Sequence, residues 1–124
     1  MKKIETNAAP KAIGPYSQAI TFGNFVYTSG QIPINPASGE IDTVDIVGQT
    51  EQVIKNIEAI LTVSGSSLEK TVKTTCFLAN IGDFTRFNEI YAKYFTGKPA
   101  RSCVEVSALP KNSLVEIEVI AVLD

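Results

Sequence analysis

The 124-residue sequence contains no histidine and no tryptophan. The missing histidine excludes most zinc sites, along with Ser-His-Asp and Cys-His catalytic arrangements. Any proton transfer falls to Glu, Asp, Lys, Tyr, Cys, water or the substrate itself. Arginine is scarce, at Arg86 and Arg101 only. With 11 basic against 13 acidic residues, the net charge is −2. Nucleic-acid binding needs a basic balance or a basic stripe, so nucleic acid is not an expected partner. Lys2 and Lys3 read as a solvated terminus. The two cysteines, Cys76 and Cys103, make neither metal-ligand spacing nor a disulfide framework. No apolar run is long enough to span a bilayer, and the polar stretch Met1 to Pro10 predicts no secretion signal. Phosphate-cradling and dinucleotide glycine patterns are missing too. A cytoplasmic protein with reduced thiols, no metal and no membrane contact is expected.

What remains is ordinary globular material, 44% hydrophobic and 19% charged. A chain of this length buries about two-thirds of its unfolded surface. One domain over residues 1–124 is expected. After a polar lead-in to Pro15, Ser17 to Phe22 and Phe25 to Ser29 read as strands joined by a tight Gly23-Asn24 turn. Ile32 to Asp42, with Pro33, Pro36 and Gly39, reads as a loop. Ile46, Val53, Ile57, Ile60 and Leu61 recur at helical spacing, which predicts a helix over Ile46 to Val63 ending at Gly65. Glu51 and Lys55 are spaced to support it. Val72 to Ala79 is rich in β-branched residues and predicts a strand. Asp83 is placed to cap a second helix carrying Phe84, Phe87, Tyr91, Tyr94 and Phe95, with Gly97 and Pro99 ending it. Arg101 to Ser107 and Leu114 to Leu123 predict two more strands. The order β-β-α-β-α-β-β suggests an α+β two-layer sandwich.

Strand side chains alternate between faces. Val115, Ile117, Val119, Ala121 and Leu123 share one face, suited to lie under the helices. Glu116 and Glu118 share the other with Leu114, Ile120 and Val122. Arg101, Cys103 and Glu105 alternate with Ser102, Val104 and Val106. Taken together, these phases suggest one apolar face and one mixed face bearing three carboxylates and an arginine. Two helices cover only one face, and buried carboxylates are costly. A homo-oligomer interface with polar pockets on the mixed face is the expected compromise.

Several residues could carry chemistry. Arg101 offers a planar donor fork suited to a carboxylate; a surface or ion-pair role is the plainer alternative. Cys103, two residues on, has no histidine to activate it and reads as a packing residue with a usable backbone N–H. Glu116 and Glu118 are two apart and share a face; the pair reads as a structural or oligomer contact, or one of them could position water as a general base if partial burial raises its pKa. Gly14-Pro15-Tyr16-Ser17 and Ser29-Gly30-Gln31-Ile32-Pro33 read as loops.

GPYSQA (Gly14 to Ala19), SGQIP (Ser29 to Pro33), Asp83-Phe84 with Asn88 and Tyr91, and PARSCVEVSALPKNSLVEIEVIAV (Pro99 to Val122) together resemble the RidA family, also called YjgF. The resemblance runs from about Ala9 to Val122. It implies a chorismate-mutase-like fold, a mixed sheet with two helices on one face, and a homotrimer. Three sheets would form a central barrel with ligand clefts between subunits. It also implies a cofactor-free 2-iminobutanoate/2-iminopropanoate deaminase, which hydrolyses imines released by pyridoxal-phosphate dehydratases to 2-keto acids and ammonia. On that resemblance Arg101 binds the substrate carboxylate, and the backbone around Arg101 and Cys103 holds the imine nitrogen. Glu116 positions or activates water, and Tyr16, Ser29 and Asn88 line the cleft, with Phe84 assigned to helix packing. RNA cleavage with inhibition of translation, and a non-enzymatic metabolite-binding, regulatory or holdase-like role, are the competing expectations.

Overall fold

The computed structural model describes residues 1–124. Six strands form one sheet: β1 (Lys2–Ile4), β2 (Ala19–Phe22), β3 (Phe25–Thr28), β4 (Thr71–Leu78), β5 (Ala100–Glu105) and β6 (Val115–Val122). Their spatial order is β1-β2-β3-β6-β4-β5. Every neighbouring pair is antiparallel except β4 and β5, which run parallel. A parallel pair needs a crossover, and the second helix, α2 (Phe84–Tyr94), supplies it. The first helix, α1 (Ile46–Ser64), precedes β4 and packs on both α2 and β6. The result is the expected α+β arrangement of a mixed sheet and two helices.

The sequence signals for α1 act as expected. The Asp45 side chain accepts a hydrogen bond from the Gly48 N–H at 2.8 Å, satisfying one orphan donor of the first turn. Ile46, Val53, Ile54, Ile57, Ile60 and Leu61 are buried. Each such side chain contributes about 1.5–3 kcal/mol on full burial. Gly65 closes the helix at φ 89°, a conformation that favours glycine. From β6, Val115, Ile117, Val119 and Ala121 meet the helices and are buried.

Two expectations are corrected. Lys2 and Lys3 are exposed, as a solvated terminus should be, yet their backbone forms β1, paired as Lys2↔Thr21 and Lys3↔Ile20. Lysines on an edge strand also discourage pairing with other chains. Buried Gln18 then fastens the lead-in, accepting from the Thr6 N–H at 2.7 Å and donating to the Pro10 carbonyl at 2.7 Å. Asp83 makes no side-chain cap. A short 3-10 turn, Ile81–Asp83, leads into α2, and Asn80 caps it by accepting from the Gly82 N–H at 2.8 Å.

The register corrects a third expectation. Arg101 stands beside Thr74 and Val119, and Cys103 beside Cys76 and Ile117. Residues in one such row share a face. Arg101 and Cys103 therefore lie on the helix side of the sheet. Glu116 is in register with Phe77 and Val104, on the opposite side. Alternation within each strand follows the spacing, but the face that each strand presents to its neighbour depends on register, which short-range spacing does not encode.

Candidate functional site

On the helix side, β5 delivers Arg101 to a seat built by α2. Phe84, Asn88 and Tyr91 follow each other at i, i+4 and i+7 and so share a face of that helix. The Arg101 Nη1 donates to the Asn88 Oδ1 at 2.7 Å. The guanidinium carbon lies 4.7 Å from the Tyr91 ring centre and 5.5 Å from that of Phe84. A guanidinium over an aromatic face is attracted by the ring quadrupole. Tyr91 is itself fixed, by a 2.7 Å hydrogen bond between its hydroxyl and Thr74 and by stacking on Phe95 at 4.5 Å. Arg101 has no carboxylate partner in the chain, where the one ion pair is Lys70 with Asp124. Most of its donor fork is thus free. It opens on a cavity of about 400 Å³ that Thr96 and Lys98 also line.

Cys103 packs against the core from the same strand. Burial pushes its thiol above the ordinary value, partly offset by the Arg101 charge. Behind it, burial pushes the Cys76 thiol up to about 12. Protonated thiols are poor nucleophiles, so the Cys103 side chain is suited to packing rather than to attack. The Val106 N–H donates to the Leu78 carbonyl at 2.9 Å. By the alternation of strand backbone, Arg101 and Cys103 point their N–H groups the other way, off the free edge of β5.

On the other side of the sheet stands the Glu116 carboxylate, half-buried and without a hydrogen-bond partner in the chain. Burial, and secondarily the neighbouring Glu118, raises its pKa above the ordinary carboxylate value. The loop after β3 runs beneath it. There Ser29 is braced: its hydroxyl donates to the Ser17 carbonyl at 2.6 Å and its N–H to the Gln18 carbonyl at 2.8 Å. Tyr16 is exposed and lines a cavity of about 320 Å³ together with Gly30, Gln31 and Lys111.

The chain thus carries a guanidinium without a carboxylate partner and a lone carboxylate of raised pKa, on opposite faces. Residues 6–123 match the family described as Endoribonuclease L-PSP. The chain belongs to the RidA/YjgF family. It is 56% identical to a RutC family protein of Pyrococcus horikoshii, over 95% of this chain and 94% of that protein. It is also similar to a solved Yersinia pestis structure described as the Rid-family protein YyfA, at 58% identity and a TM-score of 0.96. That match covers 98% of both chains. A third relative is Escherichia coli TdcF, solved with bound serine, at 43% identity and a TM-score of 0.95, with both chains covered in full.

Within this RidA/YjgF chain, two sets of expected site residues assemble separately. Arg101, Asn88 and Cys103 stand on the helix side. Glu116, Tyr16 and Ser29 stand around the β3 loop. Asn88, expected as a cleft-lining residue, hydrogen-bonds Arg101. Phe84 does pack against the core, but its ring also flanks Arg101. Sequence reasoning missed Tyr91 and Thr74 as supports of the arginine. The shared helix face of Phe84, Asn88 and Tyr91 is legible from spacing; that it meets Arg101 follows only from the parallel pairing of β4 and β5.

Proposed function

We propose that this protein is a 2-iminobutanoate/2-iminopropanoate deaminase, cytoplasmic, working as a homotrimer whose clefts lie between copies of one domain spanning residues 1–124. The observation that carries this reading is the separation of Arg101 from Glu116. Neither group has an ionic partner within the chain, and a cleft that uses both must be completed by a second copy. The open sheet face supports such contact, since Phe25, Tyr27, Val104 and Val122 are exposed on it. Burying them against identical faces is favourable. TdcF holds serine in its crystal, a ligand of the size and charge expected for this cleft.

In the proposed reaction Arg101 of one subunit grips the substrate carboxylate. The N–H groups of the free β5 edge orient the iminium. Tyr16 and Ser29 line the opposite wall, and Glu116 of the neighbouring subunit aligns water. A water oxygen adds to the iminium carbon, and its proton passes to the Glu116 carboxylate. Glu116 returns that proton to nitrogen, the carbon–nitrogen bond breaks to release ammonia, and Glu116 takes the carbinol proton as the keto group forms and passes it to the departing ammonia. Iminium and water become keto acid and ammonium. Positioning supplies most of the benefit, because the iminium is already an electrophile. A carboxyl pKa raised toward the working pH suits proton exchange.

The test follows ammonia release when the protein is added to a serine or threonine dehydratase reaction. Faster release is expected; an unchanged time course refutes the deaminase. The description of the matched family favours a second reading, RNA cleavage. The acidic balance and missing histidines weigh against it, and RNA degradation that survives extensive purification would restore it.

A further inference from the structure

Gly30 lies in the loop that runs beneath Glu116. Its φ is not in the left-handed region, so the backbone there accepts any L-residue. The need for glycine is one of room. A Cβ at this position would overlap the Glu116 carboxylate, standing 2.9 Å from Cδ and 3.2 Å from Cγ. The nearest atoms it would meet all belong to Glu116. The loop has little freedom to retreat. On one side the Ser29 N–H is tied to Gln18 at 2.8 Å. On the other, Gln31 and Ile117 exchange backbone hydrogen bonds of 2.8 and 3.1 Å. The carboxylate itself accepts no hydrogen bond in the chain, so its place is set by the surface on which it lies.

We infer that Gly30 is a positioning residue: its bare α-carbon forms a cradle that holds the Glu116 carboxylate against the β3 loop. The inference rests on the proposed role of Glu116 in aligning water. An alanine at this position drives the carboxylate outward, because a flexible side chain yields before a doubly anchored loop.

The experiment uses Gly30→Ala with two readouts. The first is a ¹³C NMR titration of the Glu116 carboxyl in the intact protein, which needs no catalysis. Loss of the partly buried seat is expected to bring its titration down toward the ordinary carboxylate range. The second is imine hydrolysis. A fall in kcat of about 100-fold is expected, with KM little changed and the acid limb of the rate profile moved to lower pH. In a Glu116→Gln background the same change should add little, since coupled groups are not additive. An unmoved Glu116 titration in Gly30→Ala overturns the cradle. If the titration moves while Glu116→Gln leaves hydrolysis intact, the cradle stands and the role of Glu116 in deamination falls. Should Gly30→Ala fail to fold, adding Glu116→Ala empties the contested space and should restore folding; no rescue also overturns the cradle.

Discussion

Replacing Asn88 with alanine tests how much of the value of Arg101 lies in its orientation. The 2.7 Å bond between them is short, as charge-assisted hydrogen bonds are. Such bonds contribute about 1.5–3 kcal/mol. Both residues are partly exposed, so screening by water places this one near about 1.5 kcal/mol. The guanidinium would keep its contacts with Tyr91 and Phe84, each about 0.5–1 kcal/mol at a partly exposed site. It would remain nearby but sample several orientations. Substrate binding must then restore the lost order, and about 1.4 kcal/mol is a factor of ten. KM is therefore expected to rise about tenfold, with kcat changed much less. Alanine is the better helix former, so α2 should not suffer. Initial rates over a range of dehydratase-generated imine, with circular dichroism as the folding control, measure both quantities. A KM within twofold of wild type refutes the reasoning. So does a tenfold fall in kcat at constant KM, which would place Asn88 at the reacting atoms.

Arg101→Ala should abolish most turnover while light scattering still reports the mass of three subunits; near-normal turnover removes the carboxylate clamp. In the proposed mechanism ionised Glu116 accepts a proton, and burial raises its pKa, so the rate should fall as pH drops through a value above the ordinary carboxylate range. Glu116→Gln should lose that acid limb together with most of the rate, and an unchanged profile removes Glu116 from the chemistry. Cys103→Ser should keep activity within a few-fold, because the raised thiol pKa leaves little thiolate at neutral pH. Complete inactivation with intact folding would make the sulfur a participant.

Much of the fold is legible because local signals agree with it. The apolar stripe of α1, its Asp45 and Gly65 boundaries, the Gly23-Asn24 turn and the alternation in β6 all report short-range physics. β1 escaped because three residues, two of them lysines, give no periodic signal; its pairing with β2 is decided by Ile4 entering the core. Spacing does not show that Asp83 leaves α2 without a side-chain cap, because the 3-10 turn that precedes the helix, capped by Asn80, decides it. The candidate residues were legible as types and motifs. Their assignment to faces was not, since β4 enters the sheet between β6 and β5, and the register across it fixes where Arg101 and Glu116 stand. Gly30 looked like one more loop glycine because its importance lies in an atom it does not have.

The division of labour between the two sheet faces has a genetic consequence. In the proposed trimer, each cleft joins the arginine of one chain to the carboxylate of the next. A chain damaged at Arg101, or one damaged at Glu116, spoils only one of the two junctions it forms. Where a defective arginine meets a defective carboxylate, a single cleft absorbs both lesions, and one of the two remaining junctions pairs two sound halves. Mixed assemblies of two inactive alleles can therefore contain working sites, and a single damaged copy silences one junction without poisoning the whole ring.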